Sequence, residues 1–117
     1  MASNDLYAVA DFCLIPMGTV ESSVAEYIAE CHRILEKSGL QFKMHGYGTN
    51  LEGPWSAVSQ AIHDCHAAVH AQGAPRIATD IRIGTRVDRA TTPGTGNEGK
   101  IRRVEEILAR DKVQGGV

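Results

Sequence analysis

No run of about 18 apolar residues occurs in this 117-residue chain, so no segment can cross a bilayer as a helix. A basic excess is missing too. Twelve Lys and Arg stand against fourteen Asp and Glu, a net charge of −2. That balance argues against a protein whose main business is a nucleic-acid backbone, so neither a membrane nor a nucleic acid is an expected partner. Cysteines are few: Cys13, Cys31 and Cys65 are widely spaced and match neither a zinc pair nor a CxxC redox motif. Their expected role is that of small hydrophobes, kept reduced in a cytoplasmic protein. The segment Met1-Ala2-Ser3-Asn4-Asp5 lacks the charged and apolar regions of a signal peptide, and strand-like sequence begins at Leu6. GxSxG, P-loop, GxGxxG and HExxH signatures are absent, and no nucleophile-base-acid set is visible. What remains is ordinary for one globular domain over 1–117: 43% hydrophobic and 22% charged residues. A chain of this length buries a core without metal or disulfide help.

Periodicity divides the chain into seven elements. Leu6 to Ile15 reads as a strand that is apolar on both faces. Leu6, Ala8, Ala10, Phe12 and Leu14 share one side; Tyr7, Val9, Cys13 and Ile15 share the other, interrupted by Asp11. Thr19 to Ser38 reads as a helix capped by Ser22 or Thr19, with Val24, Ile28, Cys31 and Leu35 on its core stripe. Leu40 to Tyr47 is a second strand, and Gly48 to Gly53 holds a turn or a short third strand. Pro54 opens a second helix that runs to about Gln72, with Val58, Ile62, Cys65 and Val69 inward. Arg76 to Val87 is a fourth strand. Residues 88–99, DRATTPGTGNEG, have the composition of a flexible loop, and a final helix spans about 100–111.

The order β-α-β-β-α-β predicts an α+β, ferredoxin-like fold: two helices on a four-stranded antiparallel sheet, with an extra C-terminal helix. Such a sheet has a face without helices. Here that face carries Tyr7, Val9, Cys13 and Ile15, too apolar for water, so association of copies through the sheet is expected, as a homodimer or homotetramer.

Chemistry concentrates in Met44 to Trp55, which puts three glycines, His45, Thr49, Glu52 and the only tryptophan, Trp55, into what reads as one connection. A carboxylate beside an aromatic face suits a small cationic heteroaromatic ring; the alternative is a tight hairpin whose Glu52 pairs with a neighbour and whose Trp55 covers the core edge. Ser22 and Ser23, at a helix start, can hold a polar ligand atom or simply cap. Asp11 and Asp80 lie mid-strand on the helix-free side, where each needs a counter-charge such as Arg82, Arg86 or Lys43, or where Asp11 binds a ligand amine. His63, His66 and His70 can share a helix face, but no carboxylate or cysteine completes a ligand spacing, so no native metal site is expected.

Ala10-Asp11-Phe12-Cys13-Leu14-Ile15-Pro16-Met17-Gly18, the run from Ser22-Ser23-Val24 to Glu30, Gly48-Thr49-Asn50-Leu51-Glu52-Gly53 and Arg76-Ile77-Ala78-Thr79-Asp80-Ile81-Arg82-Ile83 follow one another in a fixed order. Together they resemble the MTH1187/YkoF-like (UPF0045) family of small thiamine-binding proteins, over roughly Leu6 to Leu108. The resemblance implies a ferredoxin-like fold, dimers joined through their sheets, tetramers, and binding of thiamine or its hydroxymethylpyrimidine part without a catalytic step or a cofactor. It carries Ser22, Ser23, Thr49 and Glu52 over as ligand-binding positions; Asp11, His45 and Trp55 join them on chemical grounds. The rival expectation is a small enzyme with His45 as general base in an inter-subunit pocket, and a third is a pure assembly module.

Overall fold

The computed structural model describes residues 5–20 and 24–115. In chain order the elements are β1 (Tyr7–Met17), α1 (Ala25–Ser38), β2 (Gln41–His45), β3 (Gly48–Pro54), α2 (Trp55–Ala71), β4 (Arg76–Gly84) and α3 (Gly96–Gln114). The strands form one antiparallel sheet in the order β2-β3-β1-β4, as a ferredoxin-like α+β fold requires.

Strand alternation decides which side chains meet the helices. Ala8, Ala10, Phe12 and Leu14 of β1 face α1 and α2 and are buried with Leu51, Cys31, Leu35, Val58, Ile62, Cys65 and Val69. Burying a Leu or Val side chain is worth about 1.5–3 kcal/mol, and this layer holds the domain together. α1 ends where Gly39 takes a left-handed conformation (φ 77°), one that glycine adopts without strain. Cys31 and Cys65 pack between α1 and α2, as expected of small hydrophobes, whereas Cys13, on the opposite side of β1, is only half-buried.

Three expectations need correction. The described part of α1 starts at Ala25, after Val24, not at Thr19; the Ser22 cap lies outside the described residues. The segment Gly48–Pro54 is the third strand of the expected order with no turn inside it: an inner strand of seven residues, reached from β2 through a two-residue turn at Gly46 and Tyr47. Its glycine content is a packing device: a Cβ on Gly48 would stand 2.6 Å from the Phe12 carbonyl oxygen of β1. The third is α3, which begins at Gly96 rather than near Lys100 and continues to Gln114.

α3 lies on the sheet face opposite α1 and α2, and only its start touches β1 and β3. None of its residues is buried, and Ile101, Val104, Ile107 and Leu108 remain exposed. The radius of gyration of 17.2 Å exceeds the roughly 13 Å of a compact chain of this length, because α3 projects from the body.

Candidate functional site

A cavity of about 250 Å³ opens where the first turns of α1 meet the end of the β2–β3 hairpin. Phe12 and Leu14 of β1, Val24, Ile28 and Cys31 on the helix side, and Met44 of β2 supply its apolar walls. His45 and Thr49 supply polar edges, and Tyr47 stands at the mouth. Drug-sized ligands occupy clefts of roughly 300–1,000 Å³, so this volume suits a single heteroaromatic ring. Thr49 is 8% exposed and shares the core-facing side of β3 with Leu51, opposite Phe12.

His45 reaches two environments. Besides lining the cavity, its Nε2 lies 3.9 Å from Asp11 Oδ2 on the helix-free face. Its Nδ1 accepts the Tyr47 backbone N–H at 3.3 Å, which places the ring proton of the neutral imidazole on Nε2, toward Asp11. Asp11 is claimed more strongly by Arg82, its direct neighbour across β1 and β4, whose Nε and Nη2 each donate at 3.1 Å. The Arg82 hydrogen bond, helped by the Arg82 charge and opposed by burial, holds the Asp11 carboxyl below its ordinary value. Of the counter-charges considered for Asp11, Arg82 is the one the register delivers.

Glu52 is three residues from Thr49 and therefore points the other way, toward the helix-free face. It is 2% exposed and both of its oxygens accept hydrogen bonds. Oε2 accepts from the Tyr7 hydroxyl (2.6 Å) and the Gly96 N–H (2.7 Å), and Oε1 accepts the Asn97 N–H (2.9 Å). The Tyr7 oxygen in turn accepts the Gly94 N–H at 2.8 Å. Glu52 thus caps α3 from 44 residues away and satisfies the positive end of its dipole. Burial, reinforced by the bond to Glu52, pushes the Tyr7 hydroxyl pKa above its usual value. The approach needs glycine at 96, since a Cβ there would collide with Val9 and sit 3.0 Å from Glu52 Oε2.

Trp55 begins α2, where its N–H donates to the Leu6 carbonyl at 2.7 Å; its side chain is 43% exposed and does not line the cavity. Asp5 caps that helix, its carboxylate accepting both the Ser56 N–H (3.0 Å) and the Ser56 hydroxyl. Ser22 and Ser23 lie outside the described residues; Val24, the next residue, lines the cavity. Of the predicted positions, then, His45 and Thr49 share the cavity, Asp11 adjoins it through His45, and Glu52 and Trp55 stand elsewhere. The sequence reading missed the cavity's apolar walls, although Val24, Ile28 and Cys31 were already visible as a helical stripe. It also missed Tyr7 and Gly96 as partners of Glu52.

The α2 histidines are used within the chain. His66 Nε2 bonds Thr79 Oγ1 at 2.5 Å, His70 Nδ1 bonds the Ala74 carbonyl at 2.8 Å, and His63 lies 3.1 Å from Asp64. Burial lowers the His66 pKa, aided by its two histidine neighbours. No cluster of three metal-ligating side chains occurs among the described residues.

The family model of the thiamine-binding protein matches residues 10–109. A UPF0045 protein of Synechocystis sp. is 48% identical over 100 residues, covering 86% of this chain and 78% of the relative. The UPF0045 protein YqgV of Bacillus subtilis is 35% identical, covering 86% and 97%. Among solved structures, a Methanocaldococcus jannascii protein superposes with a TM-score of 0.73 at 26% identity, over 86% of this chain and 97% of its own. A Thermotoga maritima protein, assigned provisionally to thiamine biosynthesis or salvage, shares the fold with a TM-score of 0.64 at 13% identity, over 79% and 97%. The chain belongs to the thiamine-binding protein family, the UPF0045 group.

Proposed function

We propose that this protein binds thiamine, or its hydroxymethylpyrimidine part, as a non-catalytic binder, with the ring seated in the cavity between α1 and the β2–β3 hairpin. The observation that carries the reading is the cavity itself: ring-sized, mostly apolar, with two polar side chains at its edge, in a chain of this family. An aminopyrimidine needs apolar walls for its faces and a few placed donors and acceptors for its rim. Thr49 supplies a hydroxyl that both donates and accepts, and His45 adds an imidazole edge. Ser22 and Ser23, which precede Val24 in the sequence, belong to the proposed ligand-binding set on the family resemblance alone. Asp11 contributes through the orientation of His45. Glu52 serves the site indirectly, by fixing β3 against α3. The copies associate through the exposed part of the helix-free face around Cys13 and Ile15, a state that light scattering of the purified chain measures.

The proximity of His45 and Asp11 invites the rival reading, in which His45 is a general base. The hydrogen bonding disfavours it. Nδ1 accepts the Tyr47 N–H and Nε2 faces Asp11, so both ring nitrogens are directed at groups of the chain itself.

The test is Thr49→Val, which keeps the shape and removes the hydroxyl. Calorimetry with hydroxymethylpyrimidine is expected to show binding weakened about tenfold, the loss of one hydrogen bond of roughly 1.4 kcal/mol. Undiminished affinity in a folded Thr49→Val protein would remove the cavity from the site.

A further inference from the structure

A second concavity, of about 760 Å³, lies between the β4–α3 connection and the first turns of α3, with Tyr7 and Val9 of β1 at its floor. Its walls carry Arg86, Arg89, Lys100, Arg102 and Arg103 but a single carboxylate, Asp88. Five of the twelve basic residues and one of the fourteen acidic ones therefore meet here, an excess of four positive charges on a chain whose net charge is −2. Such a concentration of one sign in a cleft focuses the field and attracts anions.

In-chain pairing does not account for it. Arg86 and Asp88 bind each other bidentately at 2.7 and 2.6 Å. Arg89, Lys100, Arg102 and Arg103 have no carboxylate within 4.0 Å among the described residues. The acids nearest in sequence look elsewhere: Glu98 lines a separate groove beside Gln41 and Lys43, and Glu105 and Glu106 do not line the cleft. The Glu52 carboxylate, outside the cleft and buried behind Gly96, has taken the backbone donors of the α3 start. A ligand in this cleft must therefore be held by the guanidinium and ammonium groups, with threonine hydroxyls such as Thr91 and Thr92 in the wall. Planar guanidinium groups match pairs of phosphate oxygens, and a concave wall suits a compact oligoanion better than an extended surface.

We propose that this cleft is a second binding site, one that takes the di- or triphosphate group of a small molecule through Arg89, Lys100, Arg102 and Arg103. It does not depend on the pyrimidine reading. The cleft sits at the Tyr7 end of β1 and the ring-sized cavity at the Leu14 end, about 17 Å of strand from Val9 to Leu14.

The test is calorimetric titration of the full-length chain with inorganic pyrophosphate at constant ionic strength and near-neutral pH, with orthophosphate and sulfate alongside. One saturable site is expected, tighter for pyrophosphate than for either comparator and weakened by added salt. The double variant Arg102→Gln/Arg103→Gln is expected to bind roughly tenfold or more weakly while melting at the wild-type temperature, because both side chains are exposed. Amide shifts induced by pyrophosphate are expected to cluster between residues 85 and 103. Absence of saturable binding at low-millimolar pyrophosphate would overturn the proposal. Equal binding by the double variant, or shifts clustered elsewhere, would overturn it as well. So would a double variant that changes the oligomeric state while pyrophosphate leaves the wild type untouched, since the cleft would then be an interface between copies.

Discussion

At the Leu14 end of β1 the chain walls a cavity by packing apolar side chains from the sheet and α1; at the Tyr7 end it fastens a whole helix with one buried carboxylate. The cavity walls run directly into the core, since Phe12, Leu14 and Cys31 belong to both. α3 buries no residue of its own and depends on Glu52, Tyr7 and the absence of a side chain at Gly96. The first region rests on apolar area, which is distributed and insensitive to charge. The second rests on a few directional bonds, which one substitution or one titration removes. α3 should therefore open without the sheet unfolding, as a local event of lower free energy than global unfolding.

The largest effect is expected where the packed region is cut. Leu35→Ala, at a position 1% exposed beneath α1, should cost about 2–5 kcal/mol and lower the melting temperature of the whole domain. Melting curves check this, and a loss confined to α3 would contradict the division.

Glu52→Gln should have a smaller and more local effect, about 1–3 kcal/mol from weakened bonds to a buried group. Amide exchange should accelerate in the first turns of α3, and trypsin should cut sooner after Arg102 and Arg103, while the Ala10 and Leu51 amides keep their protection. If the core lost protection to the same extent, α3 would not be a separately anchored unit.

The smallest effect should come from alkali. The pKa of Tyr7 is raised in the fold, by burial first and by its bond to Glu52 second, so the neutral hydroxyl is the favoured form. Its contribution is complete below the unfolded value near 10 and is lost as pH rises through the higher folded value. The helical signal of α3 should therefore fall only above about pH 10, with the sheet still folded, and Tyr7→Phe should abolish that step.

The architecture was legible because its signals are local and periodic. The inward set Ala8, Ala10, Phe12 and Leu14 and the stripes on α1 and α2 need no knowledge of distant partners. Glu52 shows where such reading stops. Its nearness to Thr49 in sequence suggested a shared site, yet a separation of three along a strand sends the two side chains to opposite faces. That inference required knowing that Gly48–Pro54 is a strand, and its glycines and polar residues have the composition of a turn. The start of α3 failed for a related reason. Thr95 and Glu98 have the spacing of a capping box, but Thr95 donates its hydroxyl to the Thr92 carbonyl at 2.6 Å, and the cap arrives from Glu52. No local signal announces a cap supplied from another strand. The outward side of β1 was read as wholly uncovered. Tyr7 and Val9 are in fact met by the start of α3, which leaves only the half around Cys13 and Ile15 without a helix against it.

The most direct test of the central claim is a titration of the wild-type protein with hydroxymethylpyrimidine and with thiamine, followed by calorimetry and by thermal unfolding. A ligand of the native state at a hundred times its dissociation constant adds about 2.7 kcal/mol of stability. The account predicts saturable binding of both compounds at micromolar concentration and a matching rise in melting temperature. A flat calorimetric trace and an unchanged melting temperature for both compounds, in protein shown to be folded, would contradict it.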